Sequence, residues 1–444
     1  MSAVDLRPTE DHGASDGPTG DGGAVVAGKT AVRSLLELVV VVAAVVALAV
    51  SAGQVDLLIV VACLVVMIMV HELGHFLTAK RGHMKVTEYF LGFGPRLWSF
   101  RKGETEYGIK AIPLGGYVKI PGMTNLEEVD PADEARTYRE QPFHARMLVA
   151  VAGSAMHFLM AFVLLWTLVT FVGLPNGDKV DVQQFVPVDG RPGPAQSAGL
   201  QAGDVVVSVD GRAVDGDSST LISVIHSHPG VPVTLVVERD GSDHTLVVTP
   251  LDGRTAHETG AAQPAGTAPY GVIGVSLGSP LERVGPVAGV GRSVDDMVRF
   301  SWASVVGVAH LFSPSATIQR FREVGSAKAA SQASANGTRV SSLLGVGQVA
   351  EDALQASIGD FLIILISINL FVGIFNLFPM LPLDGGHVAI AVYEKIRTGK
   401  SKVLYHADVT KLLPFTWALV LFLGVLVTTS LLTDLLHPAA NPFG

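Results

Sequence analysis

Along most of this chain apolar residues do not alternate with polar ones; they gather into runs of spanning length. Residues 35–52, 57–79, 147–172 and 417–435 are four such runs, and 361–378 is a fifth that carries the polar Asn369 and Asn376. About 20 predominantly apolar residues are needed to cross the hydrocarbon of a bilayer as a helix. The pattern therefore predicts a multi-pass α-helical membrane protein with five spans in contact with the lipid bilayer. Residues 1–33, rich in Gly, Asp, Ser and Pro, bury too little apolar surface to order themselves and are expected to be a disordered tail. The first run, in the segment 34–56, has two readings. It is an extra N-terminal transmembrane helix, or a cleaved signal peptide with Lys29 and Arg33 ahead of it and Val50-Ser51-Ala52 as the cut site.

Charge orients the spans. Lys80, Arg81, Lys85, Arg96, Arg101, Lys102, Lys110 and Lys119 lie between the second and third runs, and Lys395, Arg397, Lys400, Lys402 and Lys411 between the last two. Basic loops beside span ends mark the cytoplasmic face, so residues 174–360 are expected on the outer side. The resulting division is a helix at 57–80, a cytoplasmic-side membrane-associated β region at 81–146 and a helix at 147–172. An outer module at 176–255 and an outer linker with amphipathic segments at 256–355 follow, then a membrane segment at 356–395 and a C-terminal helix at 412–435. Within the linker, residues 325–342 are rich in Ser, Ala and Gly and read as flexible.

Composition agrees: 49% of the 444 residues are hydrophobic and only 16% charged, against roughly 25% charged in soluble domains. A net charge of -9 without a basic stripe excludes nucleic acid as a partner. The single cysteine, Cys63, lies inside an apolar run and reads as a packing residue.

Chemistry concentrates at two places. His71-Glu72-Leu73-Gly74-His75 ends the second run. Spacing of four puts both histidines on one helix face, where they can bind one zinc ion, and places Glu72 as general base. Ionisable side chains in a membrane helix are costly unless they line a cavity, pair, or bind metal. Catalytic zinc takes three protein ligands and keeps a fourth position open. Asp384, past the fifth apolar run and followed by Gly385-Gly386, is the candidate third ligand; Pro379 and Pro382 put it on irregular backbone, tolerated at membrane depth only around a cavity. A helix cap is the plainer role for Asp384. His387 reads as a helix residue with a polar contact.

These motifs, together with Gly92-Phe93-Gly94-Pro95, Thr105-Glu106-Tyr107-Gly108, Ile112-Pro113-Leu114-Gly115-Gly116-Tyr117-Val118 and the segment 376–386, resemble in order the bacterial site-2 proteases, specifically the PDZ-containing, actinobacterial type. The resemblance covers residues 57–435. It implies an intramembrane zinc metalloendopeptidase of the bacterial cell membrane, active in regulated intramembrane proteolysis. The implied substrates are single-span membrane proteins, such as pre-trimmed anti-sigma factors, or signal-peptide remnants. It also implies that His71, His75 and Asp384 bind Zn2+, that Glu72 activates water, and that Asn376 helps hold substrate; by itself, Asn376 is equally a packing amide. The family's Ala-Gly-Pro-x-x-Asn at the third span is here Ala152-Gly153-Ser154-Ala155-Met156-His157, which keeps a small-residue surface for close helix approach but loses the proline and asparagine.

Residues 107–121 read as a β-hairpin turning at Gly115-Gly116, whose edge either receives an extended substrate or packs against the membrane surface. In the outer module, Gly193 to Asp204 leads into Val205-Val206-Val207-Ser208-Val209-Asp210-Gly211, which resembles a bacterial PDZ domain (α+β, extracytoplasmic); further strands flank an Asp240-Gly241 turn. Such a module either recruits substrates or screens them.

Overall fold

The computed structural model describes residues 22–123, 127–257, 268–399 and 405–441, with the backbone alone for residues 22–33 and Leu114. Residues 1–21 of the expected tail, and Lys400 and Lys402 of the second basic loop, lie outside the described residues. Long apolar runs close their own backbone hydrogen bonds as helices, which leaves no peptide group bare in hydrocarbon. The resulting helices are α1 (Gly22–Ser51), α2 (Val55–Arg81), α3 (Phe143–Thr167, continued by a π-helical turn Leu168–Val172), α4 (Ile358–Asn376), α5 (Asp384–Thr398) and α6 (Leu413–Leu436). Among the described residues, five stretches are long and apolar enough to cross a membrane: Ser34–Ser51, Val55–Arg81, Phe143–Val172, Ile358–Asn376 and Val409–Leu436. Their outward side chains are large and apolar, with Leu48, Trp417 and Leu421 about 70% exposed, as lipid-facing surface requires.

The described residues divide into two compact units, one drawn from 22–157, 319–351 and 372–439, the other from 158–318, 352–371 and 440–441. In the first unit, α2 leads into two long antiparallel strands, β1 (Glu88–Lys102) and β2 (Thr105–Lys119). Both bend: Glu88 pairs with Glu106 and also with Lys119, and Leu91 with Ile109 and also with Gly116. Segments 116–119, 88–91, 106–109 and 99–102 thus lie side by side. This corrects the expected hairpin: the tight turn is at Gly103-Glu104, and β2 doubles back between Ile109 and Gly116 with segment 88–91 lying between its two arms, so residues 107–121 do not pair with themselves. β1 is the partner that local patterning could not supply.

Three other expectations change. The helix α1 begins at Gly22, so the backbone of residues 22–33 is helical rather than tail. The stretch 325–342 contains a helix, Ala327–Ala335, with Ser326 as its N-cap and with Ala330 and Ala333 buried. Alanine, the strongest helix former, outweighs the loop-like composition. Arg339 then ties this stretch to α6, donating to Asp434 at 2.8 Å and to the His437 carbonyl at 2.7 Å. Finally, the expected membrane segment 356–395 is two helices: α4 ends at Asn376 and α5 starts at Asp384, separated by the proline-containing stretch.

In the second unit, Ala161, Leu165, Leu168 and Val169 of the third span pack with Ile366 and Leu370 of α4 and with Met297 and Phe300 of helix Pro286–Leu311. The same unit holds an antiparallel sheet whose main strands run in the order Val275–Gly278, Val180–Phe185, Val205–Val209, Val233–Arg239, Ser242–Val248. Helix Ser218–Ser227 adds Leu221, Val224 and Ile225 to the core built by the sheet valines. Asp240 and Gly241, with φ of 51° and 73°, close the last hairpin. The sheet extends past the expected boundary at 255, since Val275–Gly278 pairs with Val180–Phe185.

One buried carboxylate fastens this sheet. Burial alone would raise the Asp204 carboxyl, but Arg239 donates to it from Nε and Nη2, both at 2.7 Å, and the Gln201 amide at 2.8 Å. Together they hold it below the usual range. A depressed carboxyl stabilises the fold above its unfolded-state pKa, and that contribution is lost as pH falls through the native value. Asp204→Asn in the full chain is expected to cost about 1.5–3 kcal/mol at pH 7, read as roughly 10–100-fold faster hydrogen exchange of the Val233–Arg239 amides. The gap between variant and wild type should begin to narrow below about pH 3.8, the carboxyl's ordinary value, and close once pH has fallen through the lower native value.

Candidate metal centre

The last turns of α2 carry His71, Glu72 and His75; Asp384 is the first residue of α5. Both histidines are buried. The Nε2 atoms of His71 and His75 are 3.3 Å apart, and Asp384 Oδ2 lies 3.5 Å from the first and 3.3 Å from the second. Four ligands at bond lengths of about 2.0–2.1 Å around a tetrahedral ion stand roughly 3.3–3.4 Å from one another. The three atoms therefore already describe one face of a zinc tetrahedron. Among the described residues, this trio is the group of His, Cys, Asp and Glu side chains with metal-holding geometry.

Hydrogen bonding supports the fit. His75 Nδ1 donates to the Val149 carbonyl at 2.8 Å, which fixes the tautomer and turns the Nε2 lone pair toward the other two ligands. Asp384 Oδ2 is buried and accepts no hydrogen bond among the described residues. Converging acceptor atoms repel unless a cation sits between them, so this donor set fits Zn2+. Asp384 also occupies the first turn of α5, where the helix dipole favours a carboxylate. The plainer role as a cap is not what is seen: Leu383 is the N-cap residue.

Close packing makes the geometry possible. A Cβ on Gly153 would lie 2.3 Å from His71 Cε1 and 2.4 Å from His75 Nε2, so α3 can back the imidazoles only with glycine there. Of the expected small-residue surface, Gly153 and Ser154 are buried whereas Ala155 faces outward. At Gly385, a Cβ would meet the Leu377 carbonyl at 2.2 Å, so the irregular stretch folds directly over the start of α5.

The other expected residues are placed as follows. Gly116 borders Glu72: a Cβ there would be 3.2 Å from Glu72 Cγ. Gly115, with φ of 141°, precedes it in β2. Asn376 is half-buried at the end of α4, where the irregular stretch begins. The His157 ring is buried 5.0 Å from that of His71, outside the three-ligand group. His387 is half-buried beside the Tyr138 ring. Sequence reasoning missed Tyr89, whose hydroxyl donates to the Met69 carbonyl at 2.8 Å and whose phenol is pushed up to about 12, by burial first and then by the nearby Glu72 carboxyl. It stays a neutral donor at any physiological pH. Within the expected β region at 81–146, no local pattern singled it out.

This geometry is that of a metallopeptidase, and comparison with known sequences agrees. Residues 59–421 match the pattern of peptidase family M50, and the chain belongs to that family. Zinc metalloprotease Rip1 of Mycobacterium tuberculosis is 36% identical over 406 residues, covering 84% of this chain and 96% of that protein. Rip1 of Mycolicibacterium smegmatis is 31% identical with the same coverage. The chloroplastic membrane metalloprotease ARASP of Arabidopsis thaliana is 28% identical over 349 residues, 77% of this chain and 71% of that protein. The chain is a zinc metalloendopeptidase of the membrane, with Zn2+ as its cofactor.

Gly153→Ala is expected to weaken zinc binding about 10–100-fold, as loss of ligand support does elsewhere, measured by competition with a chelator. Ala155→Val, on the outward face two residues away, should leave zinc affinity at the wild-type value.

Proposed function

We propose that this protein cuts membrane-spanning segments of other proteins, with His71, His75 and Asp384 as zinc ligands and Glu72 as general base. The observation that carries the reading is the position of the trio: it closes an apolar helix long enough to span a membrane, so a peptide reaching it must itself be at home in lipid. Bound zinc supplies Lewis-acid polarisation of the scissile carbonyl and acidifies the attacking water. Glu72 takes that water's proton and returns it to the leaving amine. The Val149 carbonyl holds His75, and His71 sits one helix turn before it on the same face of α2.

A carbonyl inside an intact helix is shielded by its own hydrogen bond, so the substrate must unwind before attack. Segment 116–119 of β2 supports a place for it. It pairs with 88–91 on one side and passes Glu72 at Gly116, so an unwound peptide can add as a further strand beside the base. Asn376, at the end of α4 where the irregular stretch begins, would help hold such a peptide. The basic loops argue for a cytoplasmic position of β1 and β2. The sheet of residues 180–278 would then stand on the outer side as a PDZ-like module, meeting substrates before they enter. Single-span proteins already trimmed outside, anti-sigma factors among them, suit that arrangement.

Glu72→Gln is expected to keep zinc while losing cleavage of a reconstituted single-span substrate by about 10²–10⁴-fold, because glutamine fills the same volume and cannot accept the proton. Metal analysis and product formation on the same preparation read both quantities. Cleavage near the wild-type rate would end the general-base assignment.

A further inference from the structure

Arg146 and Glu394 form an ion pair whose side chains are only 5% and 2% exposed, joining parts of the chain 248 residues apart. Both carboxylate oxygens are used. Glu394 Oε2 receives the Arg146 guanidinium and Oε1 accepts the Ala407 amide at 2.6 Å. Such a pair is weak evidence of stability, since well-packed apolar residues often serve a buried site as well or better. Its placement suggests another use.

Arg146, Val149 and Gly153 follow one another at spacings of three and four on α3; Asp384, His387, Ala391 and Glu394 do the same on α5. The α3 stripe supplies the carbonyl that orients His75 and the glycine that backs both imidazoles. The α5 stripe begins with the carboxylate that meets them. Arg146 and Glu394 join the far ends of the same two stripes. Tyr138 sits between, its ring 6.2 Å from His387 and its hydroxyl donating to the Arg146 carbonyl at 3.2 Å. A slip of α5 by one turn, about 5.4 Å, would strand both charges, so only one register satisfies the pair.

We propose that Arg146 and Glu394 are positioning residues: their pair sets the register of α5 on α3 and so delivers Asp384 to His71 and His75. This rests on Asp384 being a zinc ligand. The test uses the full chain in nanodiscs, comparing wild type, Arg146→Met with Glu394→Leu, and Asp384→Ala. Measured are the zinc dissociation rate, the visible spectrum of the Co2+-loaded protein, and kcat and KM on a pre-trimmed single-span substrate. The apolar double variant, folded by hydrogen exchange, is expected to release zinc about tenfold faster or more, to show an altered Co2+ spectrum, and to lose kcat with KM little changed. Wild-type zinc release, spectrum and kcat in that variant, while Asp384→Ala loses zinc, would overturn the positioning role and leave the ligand set standing. Wild-type zinc release in Asp384→Ala would overturn both. Should the double variant fail to fold, Arg146→Lys keeps the charge but loses the fork; faster zinc release is then expected, and an unchanged rate would overturn the proposal.

Discussion

Two imidazole nitrogens on one apolar helix and a carboxylate oxygen from another helix stand 3.3–3.5 Å apart, and the structure around them depends on that meeting. Their lone pairs face one another in surroundings that screen poorly, and a metal ion bound by all three turns that repulsion into attraction. Much of the surrounding structure serves this meeting. A glycine on α3 lets its backbone approach the two rings, a carbonyl one turn earlier sets the tautomer of one of them, and an irregular stretch between α4 and α5 brings in a carboxylate from more than 300 residues downstream.

The same constraint accounts for where the fold departs from regular membrane architecture. Regular helices satisfy their own backbone in lipid, and α2 and α3 keep that geometry while bringing the two histidines, the Val149 carbonyl and Gly153 together. The exceptions cluster near the metal set: the break between Asn376 and Asp384, and the bent strands that run past Glu72. Backbone that leaves helical geometry at such a depth has to line a protein or aqueous cavity, and a protease that hydrolyses peptide bonds needs such a cavity for both water and an unwound substrate.

Much of this was legible in the sequence because its signals are local. The five apolar runs, the four-residue spacing of His71 and His75, the adjacent Glu72, and the prolines that detach Asp384 from its span each follow from periodicity or residue chemistry over a few positions. What was hidden depended on distant partners. The Gly115-Gly116 pair looked like a turn because nothing nearby shows that β1 would pair with both ends of β2. The alanines of residues 327–335 looked like linker because their burial comes from tertiary packing. The final strand of the sheet module, Val275–Gly278, lay beyond an intervening stretch with no strand pattern, so its pairing to Val180–Phe185 could not be read. Arg146 and Glu394 were visible only as a charge near the start of one helix and another within a second, with no measure of the distance between them.

The most direct test of this account is the X-ray absorption spectrum of zinc in the purified, full-length protein. The account predicts first-shell nitrogen and oxygen scatterers at about 2.0–2.1 Å with outer-shell scattering from two imidazoles, and an altered first shell in Asp384→Ala. A third imidazole, which would bring His157 or His387 into the shell, a sulfur scatterer from Cys63, or a spectrum unchanged by loss of Asp384 would contradict it.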